Sequence, residues 1–116
     1  MAAASTNILA SPAFTSGAVN KVANVAGNDI TADTYYFEPG QVLAYHRHPK
    51  GEQIFFILQG HGQFYLDDGS EKVIEATEGT VILVPTGVWH KLVNSQDSRM
   101  IAAQATKAGA GMEARL

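Results

Sequence analysis

The chain has 116 residues, 46% hydrophobic and 16% charged, which is enough apolar material for one core and too short for two domains. Eight Lys and Arg stand against eleven Asp and Glu, a net charge of -3, and the scattered basic residues exclude the cationic stripe that nucleic-acid binding requires. There is no cysteine, so disulfide scaffolds, thiolate metal sites and cysteine nucleophiles are excluded as well.

Residues 1–13 hold no basic residue, and Thr6, Asn7, Ser11 and Pro12 interrupt any apolar run. A secretory signal needs both features. The segment reads as a lead-in to a domain over residues 14–106, and a cytoplasmic location without membrane contact is expected. Turn signals then recur every 8–12 residues or so, the rhythm of an all-β sandwich or barrel. They are Gly27-Asn28-Asp29, Glu38-Pro39-Gly40-Gln41, Asp67-Asp68-Gly69-Ser70, Thr77-Glu78-Gly79 and Pro85-Thr86-Gly87. In the second, Pro and Gly occupy the places a type II turn demands, and the third is an Asp-Gly hairpin signal.

The intervening segments are rich in β-branched and aromatic residues and predict strands over 30–37, 42–46, 53–58, 63–66, 73–76, 81–84, 90–93 and 100–105. Helical spacing is almost absent, so the fold class is all-β. Ile54–Leu58 and Val81–Val84 are apolar at every position, the pattern of strands covered on both faces. In so small a domain the second cover is expected to be another subunit, which makes a homodimer the expected assembly. Residues 107–116, containing Ala108-Gly109-Ala110-Gly111, form a tail expected to be loose or laid along the surface.

The chemistry rests on histidines. His46 and His48 would share one face of a strand, about 6.6 Å apart along it. Their imidazoles can converge on one metal ion at about 2.1 Å. His90 follows the Pro85–Gly87 turn, where a neighbouring strand could deliver it to the same place. The plain alternative is that His46-Arg47-His48 is the polar face of a surface strand. Glu52 and Gln53 bring oxygen donors close to the pair, and neutral imidazoles with oxygen suit Zn, Fe, Mn, Ni, Co or Cu.

At these positions the sequence resembles the cupin superfamily. The first cupin motif runs through Gly40, His46, His48, Gln53 and Gly60, and the second through Gly79, Pro85, Gly87, His90 and Asn94. The resemblance implies a single-domain jelly-roll β-barrel. It also implies one divalent transition metal held by His46, His48, His90 and a fourth residue, and commonly a dimer. The family's usual fourth ligand is Glu, separated by six residues from the following Gly. Counting back from Gly60 lands on Gln53 rather than Glu52. Gln53 shares its strand parity with Phe55 and Ile57, and Glu52 would point away. Gln53 is therefore preferred, and Glu52 remains the alternative.

Three imidazoles and an amide are all neutral, so such a site would keep the ion's full +2 charge. That favours Lewis-acid chemistry over oxygen activation. Tyr36, Tyr45, Gln63, Trp89 and Gln104 are weaker candidates, to line a cavity or simply to pack. Asn94 is expected to form structural hydrogen bonds, Arg47 to face away from the histidines, and His61 to be a solvated turn residue. Small cupins with a Gln ligand that open or isomerise unsaturated sugar acids carry an acid and an arginine late in the chain. Here the segment 100–105 holds no acid, Asp97 and Arg99 precede it, and Arg115 lies in the tail.

Two functions are thus expected of the site. One is a metal-dependent enzyme acting on a small oxygen-rich molecule (carbonyl, enol or carboxylate) by lyase, isomerase or dioxygenase chemistry. The other is a non-catalytic module that binds a small, sugar-like ligand beside a structural metal. A jelly roll can host both.

Overall fold

A computed structural model describes residues 1–116. Ten strands follow one another: β1 (Asn20–Ala26), β2 (Ile30–Phe37), β3 (Val42–Arg47), β4 (Gln53–Gln59), β5 (His61–Asp67), β6 (Glu71–Thr77), β7 (Val81–Val84), β8 (Trp89–Val93), β9 (Met100–Lys107) and β10 (Glu113–Ala114). They build two antiparallel five-stranded sheets, β1-β2-β9-β4-β7 and β10-β3-β8-β5-β6. The all-β jelly-roll sandwich expected from the sequence is the fold. No helix is long and apolar enough to cross a membrane.

The strands predicted over 30–37 and 81–84 coincide with β2 and β7. β1 went unpredicted because its sequence, with Asn20, Lys21 and Asn24, is poor in strand formers. A register shift between Ala23 and Val25 sets Asn24 out of the ladder, and its Oδ1 accepts from Thr34 Oγ1 at 2.6 Å. His61 is corrected from a turn to a strand residue. The turn is made by Gly60 at φ +86, so His61 already pairs with Thr77, and its Nε2 meets Glu75 Oε2 at 2.6 Å.

The inner faces of the two sheets supply the core, with Phe37, Phe55, Phe64, Leu92 and Met100 wholly buried. β4 alternates strictly: Gln53, Phe55 and Ile57 point in, while Ile54, Phe56 and Leu58 point out. Across the ladder Ile54 faces Leu83 and Phe56 faces Val81, and all four are exposed. The chain therefore covers one face of these strands and leaves the other bare. Beyond β9 the same outer face is covered by the lead-in, whose Ile8 carbonyl accepts from the Tyr36 hydroxyl, and by Phe14 just after it, which packs edge-on to Tyr36. Residues 107–116 take a defined course: Ala110 is buried and β10 pairs with β3, Glu113 opposite Arg47.

Gly62 on β5 lies tight against the neighbouring strand β8 and against Met100 of the facing sheet. A Cβ there would lie 2.3 Å from the Val93 carbonyl oxygen and 2.8 Å from Met100 Sδ, and the backbone oxygen has nowhere to go. Gly62→Ala is therefore expected to cost about 3 kcal/mol or more. Gly69→Ala meets open space and only the strain of a positive φ, so about 1–2 kcal/mol is expected. Urea unfolding of the two variants measures the contrast.

Candidate metal centre

A local irregularity brings the histidines to the interior. Leu43 pairs with Leu92 and His46 with His90, so β3 carries one residue more than β8 between those points. This bulge reverses the parity of β3. Leu43 packs against the core, and His46, three residues on, faces inward too. His48 follows two residues later on the same face, as the spacing predicted, and its carbonyl accepts from Gly87 N at 2.9 Å. That contact docks the Pro85–Gly87 turn against the end of β3. Gly87 can make this turn because its φ is +78.

The three rings form a compact group, with centroids 4.2 Å apart for His46 and His90, 5.2 Å for His46 and His48, and 5.4 Å for His48 and His90. Their ligand atoms lie within 4.8 Å of one another, close enough to hold a metal ion. Each Nδ1 contacts a backbone carbonyl: His46 that of Ala44 at 2.8 Å, His90 that of Val88 at 3.0 Å, and His48 that of Gly111 at 2.6 Å. A ring that donates from Nδ1 keeps its lone pair on Nε2, the tautomer a metal requires. The facing sheet contributes Gln53, whose Nε2 donates to Gln104 Oε1 at 2.9 Å and Thr106 Oγ1 at 3.1 Å.

Three buried polar atoms have no partner: His48 Nε2, His90 Nε2 and Gln53 Oε1. All three are acceptors. Buried groups of this kind cost about 1–3 kcal/mol each when unsatisfied, and a cation is the ligand that would satisfy them together. Glu52, the alternative to Gln53, is exposed. Phe64 stacks parallel to His90 at 6.0 Å and Phe55 meets it edge-on at 5.8 Å. Burial in these surroundings, then the neighbouring His46, pushes the His90 pKa down to about 3. Burial likewise lowers the pKa of His46 and His48. The cluster is built to be neutral.

His46 and His48 open onto a cavity of about 600 Å³ that extends to Lys21, Asp33, Tyr35 and Gln104. Asp33 is its sole carboxylate. Lys21 Nζ stands 4.0 Å from Asp33 Oδ2. Burial, with Asp33 close by, raises the Tyr35 pKa to about 12, which leaves its hydroxyl protonated. The tail forms one wall, from Lys107 to Met112.

Of the weaker candidates, Gln104 reaches the cavity. Tyr45 borders it, but its ring lies under Arg115 and Lys91 and its hydroxyl donates to Glu71 Oε2 at 2.5 Å. Tyr36 packs beneath the lead-in. Gln63 bonds to Glu75 and Ser95, and Trp89 stacks with Arg47 and Arg115. Arg47 also pairs with Glu113, Arg99 with Glu38 and Arg115 with Asp67, so none of these arginines enters the cavity. Asn94 donates to the carbonyls of Glu38 and Ser98, the structural role expected of it. Lys21, Asp33, Tyr35 and the Gly111 carbonyl were missed. Thr31-Asp33-Tyr35-Phe37 is an inward stripe of β2 in which a carboxylate falls in phase with aromatics, and that was the available signal.

Residues 34–103 match the family model described as a cupin domain. The chain belongs to the cupin family. Among solved structures, this cupin is similar to an uncharacterized conserved protein with a double-stranded β-helix domain from Klebsiella pneumoniae, at 21% identity and TM-score 0.79 over 90% of both chains. An RmlC-like cupin from Desulfovibrio desulfuricans is 25% identical, with TM-score 0.75 over 90% of this chain and 97% of that one. An oxalate oxidase in complex with the substrate analogue glycolate aligns at 16% identity and TM-score 0.78, covering 93% of this cupin and 61% of that chain. No curated protein matches the chain.

The depressed His90 pKa makes a prediction for the metal-free protein. Between pH 6.5 and about 3 the unfolded chain binds a proton at His90 that the folded chain does not, so stability falls as pH falls. The slope for this one group is about 1.4 kcal/mol per pH unit. The stability advantage of the wild type over His90→Gln, measured by chelator-treated urea unfolding, is expected to shrink from pH 6.5 to pH 4.

Proposed function

We propose that this cupin binds one divalent transition-metal ion through His46, His48, His90 and Gln53 and acts on a small oxygen-rich molecule. The observation that carries the reading is the set of buried acceptor atoms without partners beside an open cavity of about 600 Å³. A purely structural site would be closed over on every side. When bound, the ion supplies Lewis acidity, polarising a carbonyl, enol or carboxylate oxygen. With four neutral ligands the full positive charge stays on the ion, which favours lyase or isomerase chemistry over dioxygenase chemistry.

The chain's own groups orient the rest of the molecule. The protonated Tyr35 hydroxyl and the Lys21 ammonium stand on the cavity wall, where they would donate to a negatively charged or carbonyl oxygen. A carboxylate-bearing substrate meets positive charge at Lys21 and a neutral histidine cluster beyond it. Asp33 is available as the cavity's carboxylate, held between Lys21 and Gln104.

Wild-type protein expressed without added metal is expected to retain about one divalent ion per chain by elemental analysis, and His48→Ala less than a tenth of that. Stoichiometric metal in His48→Ala overturns the ligand set. A metal-loaded protein that shows no change in metal spectrum with small carboxylates or enols overturns the open-site reading.

We also propose that a second copy covers the bare outer face of β4 and β7. The exposed side chains there, Ile54, Phe56, Leu58, Val81 and Leu83, include no charge, so the face complements a copy of itself. Light scattering is expected to give a dimer for the wild type and a monomer for Phe56→Lys; a monomeric wild type refutes the pairing.

A further inference from the structure

A polar chain links the cavity wall to the metal centre. It runs from Lys21 to Asp33, then to Gln104, and ends at Gln53. Asp33 and Gln104 stand opposite one another on β2 and β9, and Gln53 stands opposite Thr106 on the next strand. Gln53 and Gln104 are almost wholly buried, at 1% and 2% exposure, so water does not settle their orientation. A carboxamide has two nearly isosteric ends, one a donor and one an acceptor. A glutamine asked to offer an oxygen to a cation must be told which way to face.

We propose that Asp33 and Gln104 are positioning residues that fix the direction of the Gln53 carboxamide. The inference rests on the reading of Gln53 as a metal ligand. As a carboxylate, Asp33 only accepts. Gln104 therefore turns its amide nitrogen to Asp33, with Nε2 to Oδ2 at 3.2 Å, and a further contact to the Tyr35 hydroxyl at 3.5 Å. That leaves Gln104 Oε1 facing Gln53, whose Nε2 donates to it at 2.9 Å. The second N–H of Gln53 goes to Thr106 Oγ1 at 3.1 Å.

Both donors of Gln53 are thus spent on β9, and its Oε1 is the end left without a partner. A reversed Gln53 would set its oxygen against the Gln104 carbonyl oxygen and present N–H groups where Oε1 now stands. One fixed negative charge, two residues away through hydrogen bonds, sets the polarity of the whole chain. The Lys21 ammonium, 4.0 Å from Asp33, supplies the countercharge.

A glutamate at position 53 has two equivalent oxygens and needs no such instruction, which provides the test. Cobalt(II) affinity is measured by chelator competition for wild type, Gln104→Leu, Gln53→Glu and the Gln53→Glu/Gln104→Leu double variant. In the wild-type background Gln104→Leu is expected to weaken cobalt binding about tenfold or more, the scale of lost outer-shell partners. In the Gln53→Glu background the same change is expected to cost less than about threefold. Equal losses in both backgrounds mean that Gln104 merely packs, and overturn the proposal.

A second variant keeps the test independent of a leucine's fit. In Asp33→Asn/Gln104→Glu the carboxylate moves one residue along and still accepts from both neighbours, so affinity is expected within about threefold of wild type. A tenfold loss there overturns the proposal. In the metal-free wild type, the Gln53 side-chain NH₂ resonances are expected to show slow exchange and contacts to Thr106, and unprotected resonances overturn the assignment. If those resonances are protected while cobalt does not bind, the positioning stands and the metal reading of Gln53 fails.

Discussion

Buried acceptor atoms without partners are the constraint around which this molecule is arranged. A jelly-roll interior is ordinarily a place for side chains that ask for nothing, and Phe37, Phe55 and Met100 meet that description. His48, His90 and Gln53 do not. Their unpaired Nε2, Nε2 and Oε1 atoms oppose folding unless the ligand that satisfies them contributes more when it binds. Everything near them works to keep the geometry while that cost is borne. Carbonyls of Ala44, Val88 and Gly111 hold the far side of each ring, and β9 takes both N–H groups of Gln53.

The two sheets divide this labour. Sheet β10-β3-β8-β5-β6 carries His46 and His90, each aimed by its own strand through a carbonyl two residues back, and His48 follows just past the end of β3. Sheet β1-β2-β9-β4-β7 carries the amide and the polar chain behind it. The closed side of the site is apolar, with Phe55 and Phe64 against His90, which keeps the imidazoles uncharged with a lone pair free on Nε2. The open side carries the cavity's charges, Lys21, Asp33 and Lys107. A neutral inner end and a charged mouth suit a ligand that offers an oxygen inward and keeps its own charge outward.

The C-terminal segment belongs to the site as much as the barrel does. It forms a cavity wall and supplies the carbonyl that orients His48. It is tied down from outside, where the Arg115 guanidinium lies over Tyr45 and Trp89 and pairs with Asp67. These contacts hold a short edge strand that has few ladder bonds of its own.

Much of this was legible in the chain alone, and for local reasons. Turn residues such as Pro39-Gly40 and Pro85-Thr86-Gly87 act within four residues, and strand alternation acts within two, so the fold class, most strands and the separation of Gln53 from Glu52 could be read directly. The spacing of His46 and His48 declared a shared face, and the motif around His90 declared its partner. Other features depended on residues that meet only in three dimensions. The bulge in β3 sets Leu43 and His46 on one face through pairing with β8, and no residue in Leu43-Ala44-Tyr45-His46 announces it. Asp33 and Gln104 lie far apart in sequence and acquire a joint role from register alone. His48 is oriented by Gly111, a glycine in a tail whose composition signals nothing. Short-range sterics are written residue by residue, whereas hydrogen-bond partners across sheets are chosen by the fold, and in this cupin those partners decide which atoms of the site remain free.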